Sequence, residues 1–166
     1  MGTFLKKIKD TIHNRKTYRA GLLQAKVYRV LKGYSQEKLM AGYGLSTIDW
    51  ALLGLLYDNP TGLRPSVMAD ALGVEPPFVT VLVTRLSTLG LIDVKTRKDD
   101  SRVKIFYLNE KGNKLVPEVE KYVRAQMSVL IKGINKRDLM AYSSVLEQIV
   151  ENSKGLKFKK FTGFKD

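Results

Sequence analysis

The stretch that most constrains the fold covers residues 64–112, where two short helix-like segments precede two strand-like segments. Gly73 separates the helical segments. In the second, apolar residues recur at positions i, i+3, i+4 and i+7, namely Val79, Leu82, Val83 and Leu86. This spacing is typical of one buried helix face. The sequence therefore predicts two helices joined by a tight glycine turn.

Residues 92–108 alternate apolar and polar side chains in two runs, joined by a charged turn at residues 98–101. Such alternation predicts a β-hairpin. Helix, turn, helix and hairpin is the element order of a winged helix-turn-helix. We therefore predict a mainly α fold with a small β-hairpin wing and flanking helices.

The other face of the second helical segment carries compact side chains with hydroxyl, guanidinium and methyl groups: Phe78, Thr80, Val81, Thr84, Arg85 and Thr88. Side chains of this size and chemistry can approach base edges in a DNA major groove. The sequence thus favours this segment as a DNA-reading helix.

The formal net charge of +13 is concentrated at the two ends of the chain. Residues 1–34 hold nine Lys and Arg against one acid, and residues 154–166 hold five Lys against one acid. Basic segments attract polyanions by counterion release. Two interpretations stay open: solvated tails that aid solubility, or tails that add non-specific phosphate contacts.

Several functional classes are disfavoured by composition. The chain has no cysteine and one histidine, His13, so we expect no disulfide, no metal site and no cofactor. Glycine-rich phosphate loops, nucleophile elbows and metalloprotease motifs are missing, so we expect no enzyme. No apolar run approaches the roughly 20 residues of a membrane span, and we expect a cytoplasmic protein without a membrane partner.

Outside the central stretch, the pattern predicts further helices. One covers residue 15 to about residue 32 with a broad apolar face, followed by a looser region from Gly33 through residues 36–40. Ser46 is the predicted N-cap of the next helix, with Asp49 in its first turn. Asn109 and Asn135 are predicted N-caps near the C-terminus, and Pro117 is expected to kink or interrupt its helix.

At this point the sequence resembles the MarR family of winged-helix transcriptional regulators. The resemblance covers about residues 45 to 150. It rests on six groups of residues: Met68-Ala69 with Leu72-Gly73, Val79-Thr80 with Leu82-Val83, Arg85-Leu86, Gly90-Leu91-Ile92, Asp100 with Arg102, and Leu108-Asn109-Glu110-Lys111-Gly112. In the family the wing usually reads Asp-Arg-Arg, where this chain has Asp100-Ser101-Arg102.

The resemblance implies a homodimer. Residues 1–45 would form an N-terminal dimerisation region, residues 46–109 the winged DNA-binding module, residues 110–153 the C-terminal dimerisation helices, and residues 154–166 a basic tail. Two-fold symmetry would then place two modules on half-sites about 34–36 Å apart on double-stranded DNA.

The resemblance also implies the DNA contacts. They fall on a recognition helix over residues 76–89 and on the wing: Pro76, Pro77, Phe78, Thr80, Val81, Thr84, Arg85, Arg97, Lys98, Asp100, Ser101, Arg102 and Lys104. Arg102 would enter the minor groove with Asp100 holding its guanidinium, although a simple turn ion pair remains an alternative. Arg85 either contacts DNA or pairs with an acid such as Asp93. Because the family often has a basic or polar residue at the position of Val81, shape readout would have a larger part here.

Many family members release DNA when a small aromatic anion or a lipophile binds. The residues that would line such a cleft here are Arg15, Tyr18, Tyr28, Trp50 and Tyr57, which serve equally well as ordinary packing. The leading interpretation is a homodimeric, sequence-specific regulator that acts as a repressor. The alternative is a basic architectural protein that coats DNA with little sequence preference, as the charged termini favour.

Overall fold

The computed structural model describes residues 17–96 and 103–154, which form six α-helices and one two-stranded sheet. In chain order these are α1 (Thr17–Tyr43), α2 (Thr47–Tyr57), α3 (Pro65–Leu72), α4 (Pro76–Thr88), β1 (Ile92–Thr96), β2 (Lys104–Leu108), α5 (Glu110–Met127) and α6 (Lys136–Ser153). The strands pair antiparallel, from Ile92 opposite Leu108 to Thr96 opposite Lys104. The predicted winged helix-turn-helix is confirmed. The chain divides into two compact units, with the boundary between Met127 and Ser128.

The helix-turn-helix is formed by α3 and α4, which are bent by 106° relative to each other. Gly73 closes α3 in the left-handed conformation, with φ 65° and ψ 34°. This conformation costs glycine little because it has no Cβ. The turn therefore directs α4 away from α3, as expected of a recognition helix.

The first helix is longer than the sequence predicted. We expected a looser region after Gly33, but α1 continues to Tyr43. A glycine inside a helix costs only about 1 kcal/mol relative to alanine, and the packing of the following turns offsets it. Leu39 is fully buried, and Tyr43 donates a 3.0 Å hydrogen bond to Glu118 on α5. Burial, together with this bond, raises the pKa of Tyr43.

Asparagine and glycine fix the junction between β2 and α5. The Asn109 side chain accepts from the Gly112 backbone N–H at 3.0 Å and donates to the Gly90 carbonyl at 3.0 Å. A Cβ on Gly112 would collide with the Leu91 carbonyl, so this position needs glycine. The predicted cap is confirmed, and it joins α5 to the end of α4.

The core lies in the first unit, between Leu39 and Val119. Its apolar side chains come from all elements except α6 and are Leu39, Leu45, Leu52, Leu53, Leu56, Met68, Ala69, Val79, Leu82, Val83, Leu86, Leu91, Ile92, Phe106, Leu108, Val116 and Val119. Leu63 adds an isolated bridge to Phe106 beside the hairpin, with two 2.9 Å backbone hydrogen bonds. The core thus holds the recognition helix and the wing on one scaffold.

Two features of the C-terminal part of the described chain were not predicted: α5 is not interrupted at Pro117, and α6 buries no side chain. Helix α5 runs through Pro117 without interruption, since Pro117 is exposed and solvent can reach the backbone that it leaves unbonded. Helix α6 begins at the predicted cap Asn135, whose side chain accepts from the Asp138 N–H at 2.8 Å. None of its side chains is buried.

Within residues 17–96 and 103–154, no single helix is both long and apolar enough to cross a membrane. Two bent pairs, α1 with α2 and α3 with α4, reach the required length and composition only when each pair is taken together.

Candidate nucleic-acid interface

Helix α4 buries one face and exposes the other. Val79, Leu82, Val83 and Leu86 are buried, as the sequence predicted. Phe78 and Val81 are 44% and 61% exposed, and Thr80, Thr84 and Thr88 are exposed as well. Every residue that the sequence assigned to DNA on this helix therefore has its side chain at the surface.

Two of the threonine hydroxyls are engaged within the helix. The Thr84 hydroxyl donates to the Thr80 carbonyl at 2.8 Å, and the Thr88 hydroxyl donates to the Thr84 carbonyl at 3.0 Å. Such bonds to the preceding turn are common for threonine in helices. They leave these hydroxyls able to accept, but not to donate, a further hydrogen bond.

Arg85 is engaged by the preceding helix junction. Its Nε donates to Asp49 Oδ2 at 3.1 Å and its Nη2 donates to the Gly44 carbonyl at 2.9 Å. The suggested pairing of Arg85 with an acid is right in kind, but the acid is Asp49 rather than Asp93. Asp49 lies 36 residues away in sequence, and the packing of α2 against α4 brings the two together.

Asp49 is the fixed end of this ion pair. It is fully buried, and its Oδ2 also accepts from the Ser46 backbone N–H at 2.8 Å and the Ser46 hydroxyl at 2.6 Å. The Ser46 hydroxyl in turn accepts from the Asp49 N–H at 3.1 Å, which completes the capping box of α2. Its other carboxylate oxygen, Oδ1, is buried with no hydrogen-bond partner in the described residues. We name these residues, Ser46, Asp49 and Arg85, the anchor.

The sequence revealed the capping box but missed the anchor. A serine followed three residues later by an acid is a local pattern. The contact with Arg85 depends on tertiary packing, for which no sequence spacing gives a signal.

The start of α4 offers few donors. Pro76 and Pro77 occupy its first turn and lack an N–H, and the Phe78 N–H donates to the Glu75 carbonyl at 3.0 Å. A helix N-terminus normally presents free N–H groups to anions. Here that capacity is reduced.

A groove of about 420 Å³ separates α4 from the wing. Hydroxyl residues line its helix side, and Val94 and Lys104 line its wing side. Lys104 is exposed, as expected of a phosphate contact. The remaining wing residues assigned to DNA lie outside the described residues: Arg97, Lys98, Asp100, Ser101 and Arg102.

A second cleft, of about 580 Å³, lies between α2 and α5. Two of the five residues that the sequence assigned to a ligand line it, Trp50 and Tyr57. Tyr28 is instead 61% exposed on α1, with Lys32 Nζ 5.7 Å from its ring centroid. Arg15 and the side chain of Tyr18 lie outside the described part of the chain. The sequence missed the other residues of the cleft: Gly54, Asp58, Val116, Pro117, Glu120, Lys121 and Arg124.

Charges around this cleft largely balance. Arg124 pairs with Glu120 at 2.8 Å, while Lys121 and Asp58 carry opposite charges on the remaining rim. Nowhere in residues 17–96 and 103–154 do three or more His, Cys, Asp or Glu side chains form a group that could hold a metal ion.

Known proteins resemble this chain both in sequence and in fold. Residues 43–103, which include α2 to β1, match the MarR family. AbsC, a MarR family transcriptional regulator from Streptomyces coelicolor, is 22% identical with a TM-score of 0.75, over 86% of this chain and 97% of AbsC. The resemblance drawn from the sequence is confirmed.

Two further solved structures were captured with ligands. MepR of S. aureus, in complex with DNA, is 22% identical with a TM-score of 0.68, over 80% of this chain and 96% of MepR. CouR of Rhodococcus jostii RHA1, bound to p-coumaroyl-CoA, is 20% identical with a TM-score of 0.73, over 88% of this chain and 99% of CouR. At these identities the likeness shows a shared fold.

Proposed function

We propose that this chain, whose residues 43–103 match the MarR family, is a homodimeric, sequence-specific DNA-binding transcriptional regulator that acts as a repressor. The observation that carries the proposal is the exposed face of α4. It stands beside the wing groove on a helix that is buried on its other side and anchored through Arg85. This is the arrangement by which a winged module enters the major groove.

Dimerisation is supported by the terminal helices. Residues 21–30 of α1 expose Leu22, Leu23, Val27, Tyr28 and Val30, and the second unit exposes Val129, Ile131, Ile134, Met140, Tyr142, Val145, Ile149 and Val150. Exposed apolar side chains that are numerous along the same segments favour an interaction site. We assign residues 1–45 and 110–153 to dimerisation, residues 46–109 to DNA binding, and residues 154–166 to a basic tail.

Two modules in a two-fold dimer would read a pseudo-palindrome with half-site centres about 34–36 Å apart. Helix α4 would lie in the major groove. Lys104 would contact phosphates, and the wing residues Arg97, Lys98, Asp100, Ser101 and Arg102 would reach the adjacent backbone and minor groove.

The decisive experiment is selection of bound sequences from a random duplex pool. We expect a pseudo-palindrome to be enriched, and the protein to bind it at least about a thousandfold more tightly than random DNA at one fixed salt concentration. A ratio near unity at about 150 mM salt would overturn the proposal. It would favour the architectural alternative, which the basic termini support.

We further propose that a small aromatic or lipophilic ligand binds the cleft between α2 and α5 and releases the DNA. Its volume of about 580 Å³ falls in the usual range for small-molecule sites, and Trp50 and Tyr57 supply aromatic faces. CouR, a protein of the same fold, has been solved with p-coumaroyl-CoA.

Trp50 is the only tryptophan, so its fluorescence reports on this cleft. The probes are benzoate, a hydroxycinnamate and its coenzyme A thioester. We expect at least one to quench Trp50 saturably in the wild type and not in Gly54→Leu. A Cβ at Gly54 would meet no atom within 4 Å, and Gly54 lines the cleft, so a leucine there should occupy part of the ligand's space. Equal quenching in both proteins would overturn the effector site.

A further inference from the structure

The exposed face of α4 has a central stripe with a distinct chemistry. Pro77, Val81, Thr84 and Thr88 are spaced i, i+4, i+7 and i+11, which places them along one side of the helix, opposite the buried residues. We name these four residues the outward stripe. Val81 lies near its middle and is 61% exposed. Phe78, one turn away and 44% exposed, extends the apolar surface.

The outward stripe carries almost no hydrogen-bond donor. Pro77 has no N–H, Val81 has no polar side-chain atom, and the hydroxyl protons of Thr84 and Thr88 are committed to carbonyls at 2.8 and 3.0 Å. What the stripe offers to a base edge is methyl groups and acceptor oxygens.

The one cation of the helix is turned away from this stripe. Arg85 donates to Asp49 and to the Gly44 carbonyl. If Arg85 were diverted to a base, the fully buried Asp49 carboxylate would lose its cation, at a high energetic cost. The helix also lacks Lys, Asn and Gln. The side chains that usually read guanine and adenine by paired hydrogen bonds are therefore missing or occupied.

The hydroxyl residues of α4 also reach the groove beside the wing. Thr80, Thr84, Ser87 and Thr88 line this groove of about 420 Å³ together with Lys104, so Thr84 and Thr88 form the edge that the stripe shares with the groove. Hydroxyl and lysine donors on the wall of a groove suit the sugar-phosphate backbone, which fixes position without reading sequence. Donors are thus concentrated beside the stripe, where the backbone would pass.

We propose that α4 reads thymine 5-methyl groups through Val81 and Phe78, and that it makes no donor contact with guanine N7 and O6. The half-site positions that face the outward stripe are then A·T pairs. A guanine there would set two acceptors against apolar groups and lose their hydrogen bonds to water. This inference rests on the proposed function, because it specifies what the DNA-binding helix recognises.

The test alters one chemical group at a time on the bases of the selected operator. Deoxyuridine in place of thymidine removes only the 5-methyl group from the major groove, and 7-deazaguanine in place of guanine removes only the N7 acceptor. We expect deoxyuridine at one or two positions in each half-site to weaken binding about fourfold for each methyl lost, the contribution of one buried methyl-sized group. We expect 7-deazaguanine opposite α4 to change affinity by less than about twofold.

A matched pair of variants ties the effect to one side chain. In Val81→Ala the difference between thymine and uracil should disappear at the operator position that faces Val81, whereas Val81→Ile should keep it. Because Val81 is exposed, neither change disturbs the core, and the melting temperature should confirm this. Val81→Arg supplies the missing paired donor, so renewed selection should enrich guanine at the facing position and make binding sensitive to 7-deazaguanine.

The outcomes separate this inference from the proposed function. If the wild type selects a site that tolerates uracil but loses about tenfold or more with 7-deazaguanine, thymine reading is wrong while the regulator stands. If the wild type selects no site, the regulator is wrong and thymine reading fails with it. If removal of the thymine methyl group weakens binding, and Val81→Ala abolishes this effect, both thymine reading and the proposed regulator are supported.

Discussion

The winged module and the terminal helices of this chain place their apolar residues in opposite environments. Between Leu39 and Val119 the apolar positions are packed into a common core. In residues 21–30 of α1 and throughout α6, no side chain is buried, although both segments are rich in leucine, valine and isoleucine. Most of the stability of a helix in a protein comes from the packing of its apolar face. The winged module thus packs its apolar residues within one copy, whereas the terminal helices leave apolar side chains exposed that the second copy of the proposed dimer would cover.

The largest expected effect tests the completeness of the module. Leu53→Ala should lower the free energy of unfolding by about 2–5 kcal/mol, because it removes a fully buried side chain and leaves a cavity. Val67→Ala is the matched control on α3, where the side chain is 47% exposed, and it should change stability by less than about 0.5 kcal/mol. Urea denaturation measures both. Equal losses would mean that the core is not where the burial places it.

The second effect tests whether the terminal helices need a partner. Val145→Glu places a carboxylate on the exposed apolar surface of α6, where Val145 is 57% exposed. In a dimer interface an unpaired charge costs several kcal/mol, so the dissociation constant of the dimer should rise at least about a hundredfold.

Val145→Leu retains an apolar side chain and should leave the dimer within about tenfold of the wild type. Sedimentation equilibrium over a range of protein concentrations distinguishes the three proteins. A wild type that sediments as a monomer throughout would contradict the comparison, as would a dimer that tolerates the glutamate.

The sequence predicted the winged module better than the helices around it, because the features of the module depend on short-range patterns. The buried stripe of α4 and the caps Ser46 and Asn135 are local patterns, whose residues lie within one or two helix turns. The continuation of α1 past Gly33 is not local. It depends on Leu39 reaching the core and on Tyr43 meeting Glu118, which lies 75 residues away.

The candidate site also contains residues that the sequence could indicate and residues that only tertiary packing brings together. The exposed residues of α4 followed from helical periodicity, whereas Trp50 and Tyr57 were proposed for a ligand cleft from the family resemblance. The anchor required Asp49 and Arg85, 36 residues apart, to meet through packing. The α5 side of the proposed effector cleft, with Pro117 and Arg124, had no signal in the sequence because its lining depends on how α5 packs on α2.

A smaller effect tests whether the anchor belongs to the scaffold or to the DNA surface. Arg85→Met should lower the free energy of unfolding by about 1–3 kcal/mol, because Asp49 keeps its burial but loses its cation. It should also weaken DNA binding by misplacing α4. The slope of log affinity against log salt should stay unchanged, since no phosphate contact is lost.

Lys104→Met is the contrasting variant. Lys104 is exposed on β2 and faces the wing groove, so its loss should leave stability nearly unchanged and reduce the salt slope by about 0.9. A reduced slope in Arg85→Met would show that Arg85 contacts a phosphate and would remove it from the anchor.

The smallest expected effect on specificity concerns the basic C-terminal end of the chain. Residues 155–166 carry four lysines and one aspartate. Phosphate contacts of such a segment add affinity without sequence information. Deleting these residues should therefore weaken binding to the selected operator and to random duplex by the same factor, and their ratio should stay within about twofold at fixed salt. Titration of both duplexes with both proteins measures this ratio. A ratio that collapses on deletion would place sequence reading in the basic segment, and the winged module alone would then not account for recognition.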